Sequence, residues 1–353
     1  MGPWWFWPLG NFDGVHYLLL AREGYIRDLY QAFFPVYPML LRFFEQFTRN
    51  YLVSGVVLSA ASFWAVLYFF NKLLCLDFKN STVRKILLVF VFFPTSFYFF
   101  SVYTESLFMA LVFAFFYYLR KKKYLLAVLL AGTASATRLV GVFLVLSFLY
   151  EVWPVITNIK TYSRLFHLLG VKNSPTRRCL QYLITGVLSL IGVFGFLFYS
   201  YFLMHRYSDP LKFLHVQSAF GANRSSGELV LLYQVIYRYF KMFITVDPKN
   251  PIYYSLSLEF AISLLFLVFI AVAFLNKKLK INKNYILFSS LAFILPTLTG
   301  TFSSMPRYVL SSFVGFMVLG QIKNKALFRF WMISSVGLLL INAVLFYRGY
   351  WIA

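Results

Sequence analysis

Asp13 and His16 lie three residues apart in Asn11-Phe12-Asp13-Gly14-Val15-His16-Tyr17, close to the start of a 353-residue chain. A carboxylate can take a proton from a hydroxyl, and a neighbouring imidazole can assist it. The chain has only eleven acidic residues against 33 Lys and Arg. One carboxylate set in a Gly-containing turn, just outside the first long apolar run, is therefore a candidate catalytic group. Three more ionisable residues sit at the edge of apolar stretches: Glu105 after Thr104, Arg138 after Thr137, and Arg307 after Pro306. Such positions are costly for charge and mark functional sites. Two carboxylates and two arginines beside hydrocarbon suit group transfer from a lipid phosphate. A carboxylate would accept the acceptor's proton, while Arg138 and Arg307 would hold the departing phosphate.

Each residue also has a structural explanation. Asp13-Gly14 is a turn signal, and Asp13 could cap a helix beginning near Val15. His16 could be an ordinary helix-surface or interface histidine, and with Asp13 alone it falls short of the three protein ligands usual for a metal. Glu105 could sit in the first turn of a helix capped by Thr104. Arg138 could snorkel or pair with Glu105. Arg307 follows Pro306 at an expected helix start, where the helix dipole disfavours a cation; a carboxylate or a phosphate would offset that cost.

The elements that must position these groups follow from composition. At 61% hydrophobic, 22% aromatic and 12% charged, the chain departs from soluble domains, in which about 25% of residues are charged. Apolar runs such as 51–70, 180–204, 256–275 and 330–346 are long enough to cross a bilayer. The expectation is an all-α, polytopic integral membrane protein with one membrane-embedded domain over residues 1–353. The net charge of +22 does not point to nucleic acid, because the basic residues punctuate apolar runs as topology signals do.

Five short connections, Lys72–Lys85, Arg120–Lys123, Lys160–Arg178, Lys277–Lys283 and Lys323–Arg329, hold 20 of the 33 Lys and Arg. The positive-inside rule places them in the cytosol. Cys75 and Cys179 lie in or beside these loops, away from an oxidising compartment. Ten crossings follow, near 51–70, 86–102, 104–119, 124–137, 139–153, 180–204, 256–275, 285–300, 307–322 and 330–347. Residues 124–153 read as a hairpin of short helices whose tip at Arg138 is recessed below the outer surface. Residues 1–50 form a non-cytosolic first loop with an interfacial amphipathic stretch at Phe43–Phe47, and 205–254 form a mixed polar non-cytosolic loop. Asp13, His16, Glu105, Arg138 and Arg307 then share one side of the membrane. Residues 1–50 begin with neither a signal peptide nor a helix to export them.

The chain also resembles the PIG-V family, the GPI mannosyltransferase 2 type of GT-C glycosyltransferase. The resemblance is carried by Phe12-Asp13-Gly14-Val15-His16-Tyr17-Leu18-Leu19-Leu20-Ala21-Arg22-Glu23-Gly24-Tyr25 and Ala32-Phe33-Phe34-Pro35-Val36-Tyr37-Pro38. It continues through Phe93-Pro94-Thr95-Ser96-Phe97-Tyr98, Tyr103-Thr104-Glu105-Ser106-Leu107-Phe108, Thr137-Arg138-Leu139-Val140-Gly141, Pro306-Arg307-Tyr308 and Gly349-Tyr350-Trp351. It implies a GT-C-type membrane bundle and an inverting transfer of mannose from a polyprenyl- or dolichyl-phosphate donor to a lipid-linked or glycan acceptor. Asp13 matches the acidic residue of the first outer loop that serves as catalytic base or its close support, and Glu105 and Arg138 are carried over as active-site members. Family members carry a helix before the Asp-containing loop, so one is expected upstream of Met1 unless this chain inserts without it. The compact chain is more like prokaryotic relatives, which implies the plasma membrane; a eukaryotic member would occupy the endoplasmic reticulum membrane. No cofactor or metal is required where arginines bind the phosphate. Partners are then the lipid-phosphate sugar, its acceptor and membrane lipids. The rival readings are a flippase or transporter of lipid-linked sugars, and a non-catalytic subunit of a glycosyltransferase complex.

Overall fold

The computed structural model describes residues 4–157, 174–222, 224–225 and 228–352. Among these, every regular element is a helix. The basic connection expected at Lys160–Arg178 falls largely on residues 158–173, outside the described residues. The main helices are α1 (Asp13–Glu23), α2 (Val36–Thr48), α3 (Tyr51–Leu74), α4 (Asn80–Val91), α5 (Glu105–Arg120), α6 (Tyr124–Ser135) and α7 (Phe143–Thr157). They are followed by α8 (Ser174–Tyr207), α9 (Leu232–Thr245), α10 (Ile252–Leu275), α11 (Lys283–Thr297), α12 (Val314–Gly320) and α13 (Lys325–Tyr347). Four helical stretches among the described residues are long and apolar enough to cross a membrane: Tyr51–Leu74, Cys179–Tyr207, Ile252–Leu275 and Lys325–Tyr347. These begin or end within a few residues of the expected crossings.

Two other expected crossings are broken, the first of them at a proline. The stretch 86–102 is not one helix: α4 stops at Val91, and a short 3-10 turn at Ser96–Phe99 follows. Pro94 has no N–H to donate and disfavours helix in the residue before it. The freed carbonyls are taken up by side chains, as apolar surroundings demand. Ser335 Oγ donates to Phe92 O at 2.7 Å, Asn342 Nδ2 to Pro94 O at 3.0 Å and Ser96 Oγ to Phe90 O at 2.6 Å. The stretch 307–322 is likewise a single helical turn (Met305–Tyr308), a 3-10 turn (Val309–Ser311) and the short α12. Thr95 Oγ1 joins the two breaks by donating to Pro306 O at 2.5 Å.

α6 is short but tightly held, and it carries Arg138 just beyond its end. A Cβ on Gly195 of α8 would stand 2.2 Å from Gly132 O and 2.6 Å from Ala136 Cβ, so the two helices touch backbone to backbone. Small residues permit this approach between helices in lipid. After Arg138 the chain folds back on α6: a Cβ on Gly141 would stand 2.4 Å from Ala134 O.

The other end of the bundle carries a clasp. Arg120, the last residue of α5, donates to both carboxylate oxygens of Asp77 at 2.8 and 2.9 Å, and to the Tyr285 hydroxyl at 2.8 Å. Lys85 Nζ donates to Ile322 O at 3.1 Å. Glu105 and Arg120 are the two ends of α5, about 22 Å apart at 1.5 Å per residue.

The segments outside these spans are more ordered than sequence patterning indicates. α2 buries Tyr37 and Leu41 and exposes Met39, Phe43 and Phe47 along one ridge at four-residue spacing. Residues 205–254, expected as a mixed polar loop, contain α9. This helix buries Val235 and Tyr239 while Tyr233, Tyr237, Phe240 and Ile244 stay exposed. Polar flanks conceal the helical period of its apolar residues.

Candidate functional site

Asp13 is the first residue of α1, and Phe12 before it has φ 56°, a left-handed conformation that costs a bulky residue free energy. Three contacts hold it there. The Phe12 ring meets Trp351 edge-on at 4.9 Å, Asn11 Nδ2 donates to Phe346 O at 2.9 Å, and the Tyr103 hydroxyl donates to Asn11 O at 2.8 Å. The C-terminal end of the chain thus shapes the turn that presents Asp13. The carboxylate stands one residue past the N-cap position, which Phe12 holds. Its Oδ2 instead accepts from Arg307 Nη1 at 2.7 Å.

Glu105 opens α5 and is almost wholly buried; Thr104 before it makes no side-chain cap. Glu105 Oε1 accepts from Arg138 Nη1 at 2.7 Å and lies 3.3 Å from Arg307 Nε. Its Oε2 is buried with no hydrogen-bond partner. The result is a row of alternating sign, Asp13–Arg307–Glu105–Arg138, with formal charge zero. Neutrality is what permits it, because burying unpaired charge costs several kcal/mol per ion, whereas well-placed opposite charges offset one another. Aromatic faces complete the shell: Arg307 lies 5.0–5.6 Å from the ring centres of Tyr98, Tyr103 and Tyr308, and Arg138 lies over Phe108 and Tyr308. Such contacts favour guanidinium in desolvated settings.

Arg307 is therefore held by two carboxylates, not at the start of a long helix as its position after Pro306 implies. It lies in the single turn Met305–Tyr308, entered through Ser304 at φ 68°. Arg138 is extended, between α6 and the turn at Leu139–Val142.

The row forms one wall of a cavity of about 370 Å3, within the range of small-molecule sites. Its other walls are chiefly apolar, with Phe33, Phe34, Leu139, Val140, Phe213, Phe220, Leu295 and Leu298 among the lining residues. Its charged and hydroxyl-bearing residues can pair with polar groups, and its apolar lining can take an apolar chain.

His16 is not part of this row and does not line the cavity. It packs behind the lining, stacked on Phe33 at 5.2 Å between ring centres and edge-on to Phe220 and Tyr30. Its Nδ1 is buried without a partner. Burial pushes the imidazole below its ordinary value, and the nearby Asp13 carboxylate partly opposes this. Spacing of three on α1 would leave His16 on the same face as Asp13, but its ring is taken up by Phe33, Phe220 and Tyr30 and stays out of the row. No group of three or more His, Cys, Asp or Glu suited to a metal ion occurs among the described residues.

Sequence reasoning missed Tyr17, Tyr308 and Arg224, all of which line the cavity. The Tyr308 hydroxyl accepts from Arg307 Nη2 at 3.3 Å, and Arg224 Nη2 donates to Ser304 Oγ at 3.1 Å. Tyr308 directly follows Arg307, which was the available signal. Tyr17 is one of 26 tyrosines and Arg224 one of 33 basic residues, so scarcity pointed to neither. No protein-family model, curated protein or solved structure significantly matches this chain, so the chemistry of this cavity is what bears on function.

Proposed function

We propose that this chain is a membrane glycosyltransferase of GT-C type. It moves a mannose-type sugar from a polyprenyl- or dolichyl-phosphate donor to a lipid-linked or glycan acceptor. The reading includes the ten-crossing topology with the cavity on the non-cytosolic face. The observation that carries it is the buried row Asp13–Arg307–Glu105–Arg138 in the wall of a cavity whose remaining lining is chiefly apolar. Two further features support it. The row and the Asp77–Arg120 clasp lie at opposite ends of α5, as an outer site and a cytosolic anchor would. The exposed ridge of α2 fits an interfacial helix.

In this reaction the acceptor hydroxyl oxygen forms a bond to the anomeric carbon as the bond from that carbon to the phosphate oxygen breaks. The departing phosphate keeps the electron pair, and the hydroxyl proton passes to Asp13. Asp13 Oδ2 is occupied by Arg307, which orients the carboxylate and directs Oδ1 to the task. Glu105 Oε2, buried and unpaired, is an acceptor for a sugar hydroxyl. Arg307 and Arg138 offer positive potential to the leaving group, though two carboxylates already balance them. His16 acts through packing and the field at Asp13, not by contact with substrate.

The test replaces Asp13 with Asn, which is nearly isosteric and keeps a hydrogen-bond acceptor for Arg307. Transfer from polyprenyl-phosphate mannose by detergent-solubilised protein should fall by about 10²–10⁴, the usual contribution of a general base. Membrane insertion and elution as a folded species should be unchanged. Normal turnover by the Asn variant would dismiss Asp13 as base. Failure of the unaltered protein to consume donor in detergent would favour the transporter reading, which needs a sealed membrane.

A further inference from the structure

The two arginines of the row are each held by a carboxylate, so a phosphate arriving there meets a formally neutral surface. Arg224 differs. It lines the same cavity, its Nη2 donates to Ser304 Oγ at 3.1 Å, and no carboxylate among the described residues lies at ion-pair distance from it. Glu228, also on the lining, is exposed and makes no ion pair with it. Glu259 is engaged elsewhere, its Oε2 accepting from the Tyr239 hydroxyl.

The position of Arg224 is built. The next residue, Ser225, donates its N–H to Thr299 O at 2.9 Å, and Val230 donates to Leu298 O at 3.0 Å, which ties both to cavity-lining residues. Ser304 has a second duty: its carbonyl accepts the N–H groups of Arg307 and Tyr308 at 3.1 and 3.0 Å. One residue thus ties Arg224 to the turn that carries Arg307. Arg138 and Arg307 both lie over the Tyr308 ring, and Arg224, bonded to Ser304, lines the same cavity.

We propose that Arg224 is the principal phosphate ligand of this cavity, positioned by Ser304, and that it takes a prenyl monophosphate whose chain runs along Phe213, Phe220, Leu295 and Leu298. This rests on the lipid-phosphate reading above and assigns its anion subsite. Arg307 and Arg138 are then positioning residues for Asp13 and Glu105. A guanidinium without a carboxylate can give both donors of its fork to phosphate oxygens, and its charge is not already cancelled.

The experiment compares binding of farnesyl phosphate and uncharged farnesol to the purified full chain in neutral detergent. The unaltered protein should prefer the phosphate by about 10-fold or more, as expected for a charge-assisted pair. Arg224→Gln should lose most of that preference while binding farnesol as before, and Arg224→Lys should keep part of it. Full preference in Arg224→Gln overturns the assignment and leaves the lipid-phosphate reading standing. Absence of preference in the unaltered protein overturns both. Should Arg224→Gln not fold, Arg224→Met and Ser304→Ala are measured in the same way, and an undiminished preference in either is equally decisive against Arg224.

Discussion

Replacing Glu105 with Gln tests whether the buried row is held by its neutrality. Glu105 is the hub, with Arg138 at 2.7 Å and Arg307 at 3.3 Å, and its side chain is 3% exposed. Gln has nearly the same shape but no charge. The row goes from formally neutral to +1, leaving two guanidiniums to share Asp13. Breaking a buried pair in this way costs about 3–5 kcal/mol, because the remaining ion stays desolvated. The figure should fall toward its lower end here, since Arg138 is 16% exposed and water can screen it. Arg138→Gln alone takes the row to −1 and should be destabilising too. The double variant Glu105→Gln, Arg138→Gln is neutral again, so its cost should be smaller than the sum of the two singles by about 1–3 kcal/mol, the range for residues in one network. The assay is chemical denaturation of the four proteins in one detergent, followed by helical circular dichroism. Additive losses, or a Glu105→Gln protein within about 1 kcal/mol of the unaltered one, would refute the claim that charge balance holds the row together.

Two further outcomes follow from the packing and the charges. Gly195→Ala would put a methyl group 2.2 Å from Gly132 O, and should cost about 1–3 kcal/mol as overpacking does; thermal melting would show it, and reduced donor turnover would accompany it because α6 carries Arg138. His16 is held below its ordinary value by burial, with Asp13 opposing. Above about pH 6.5 it is neutral in both folded and unfolded states, and it adds no slope. As the pH falls through that value the unfolded chain binds a proton the folded one resists, so stability declines until the lower folded value is passed. His16→Gln should flatten stability against pH in that window, and an unchanged slope would exclude His16 as its source.

The legibility of the site differed residue by residue. Asp13 and Glu105 could be found because carboxylates are scarce here, and Arg138 and Arg307 because each interrupts an apolar stretch. Arg224 could not, since a basic residue in a polar segment is unremarkable until a cavity forms beside it. His16 was selected by proximity in sequence, and aromatic packing against Phe33 and Phe220 holds it away from the row. The alternatives left open for the other residues were closed by contacts. Asp13 does not cap α1, and the anion that relieves Arg307 is carboxylate in this structure. For Arg138, pairing with Glu105 is what occurs.

What the amino-acid order alone determined is the all-helical character, the four long apolar helices and the small set of charged residues set among them. These are local properties, governed by hydrophobic length and by the cost of charge beside lipid. Only the tertiary structure decided that Arg307 pairs with Asp13 across 294 positions of sequence, that 307–322 is split into short turns, and that Arg224 lines the same cavity as the row. Those are long-range pairings, set by which carbonyls and charges remain unsatisfied when the helices pack. Asp13 and His16, three residues apart in the chain, part company for the same reason: one finds a buried guanidinium, the other only aromatic rings.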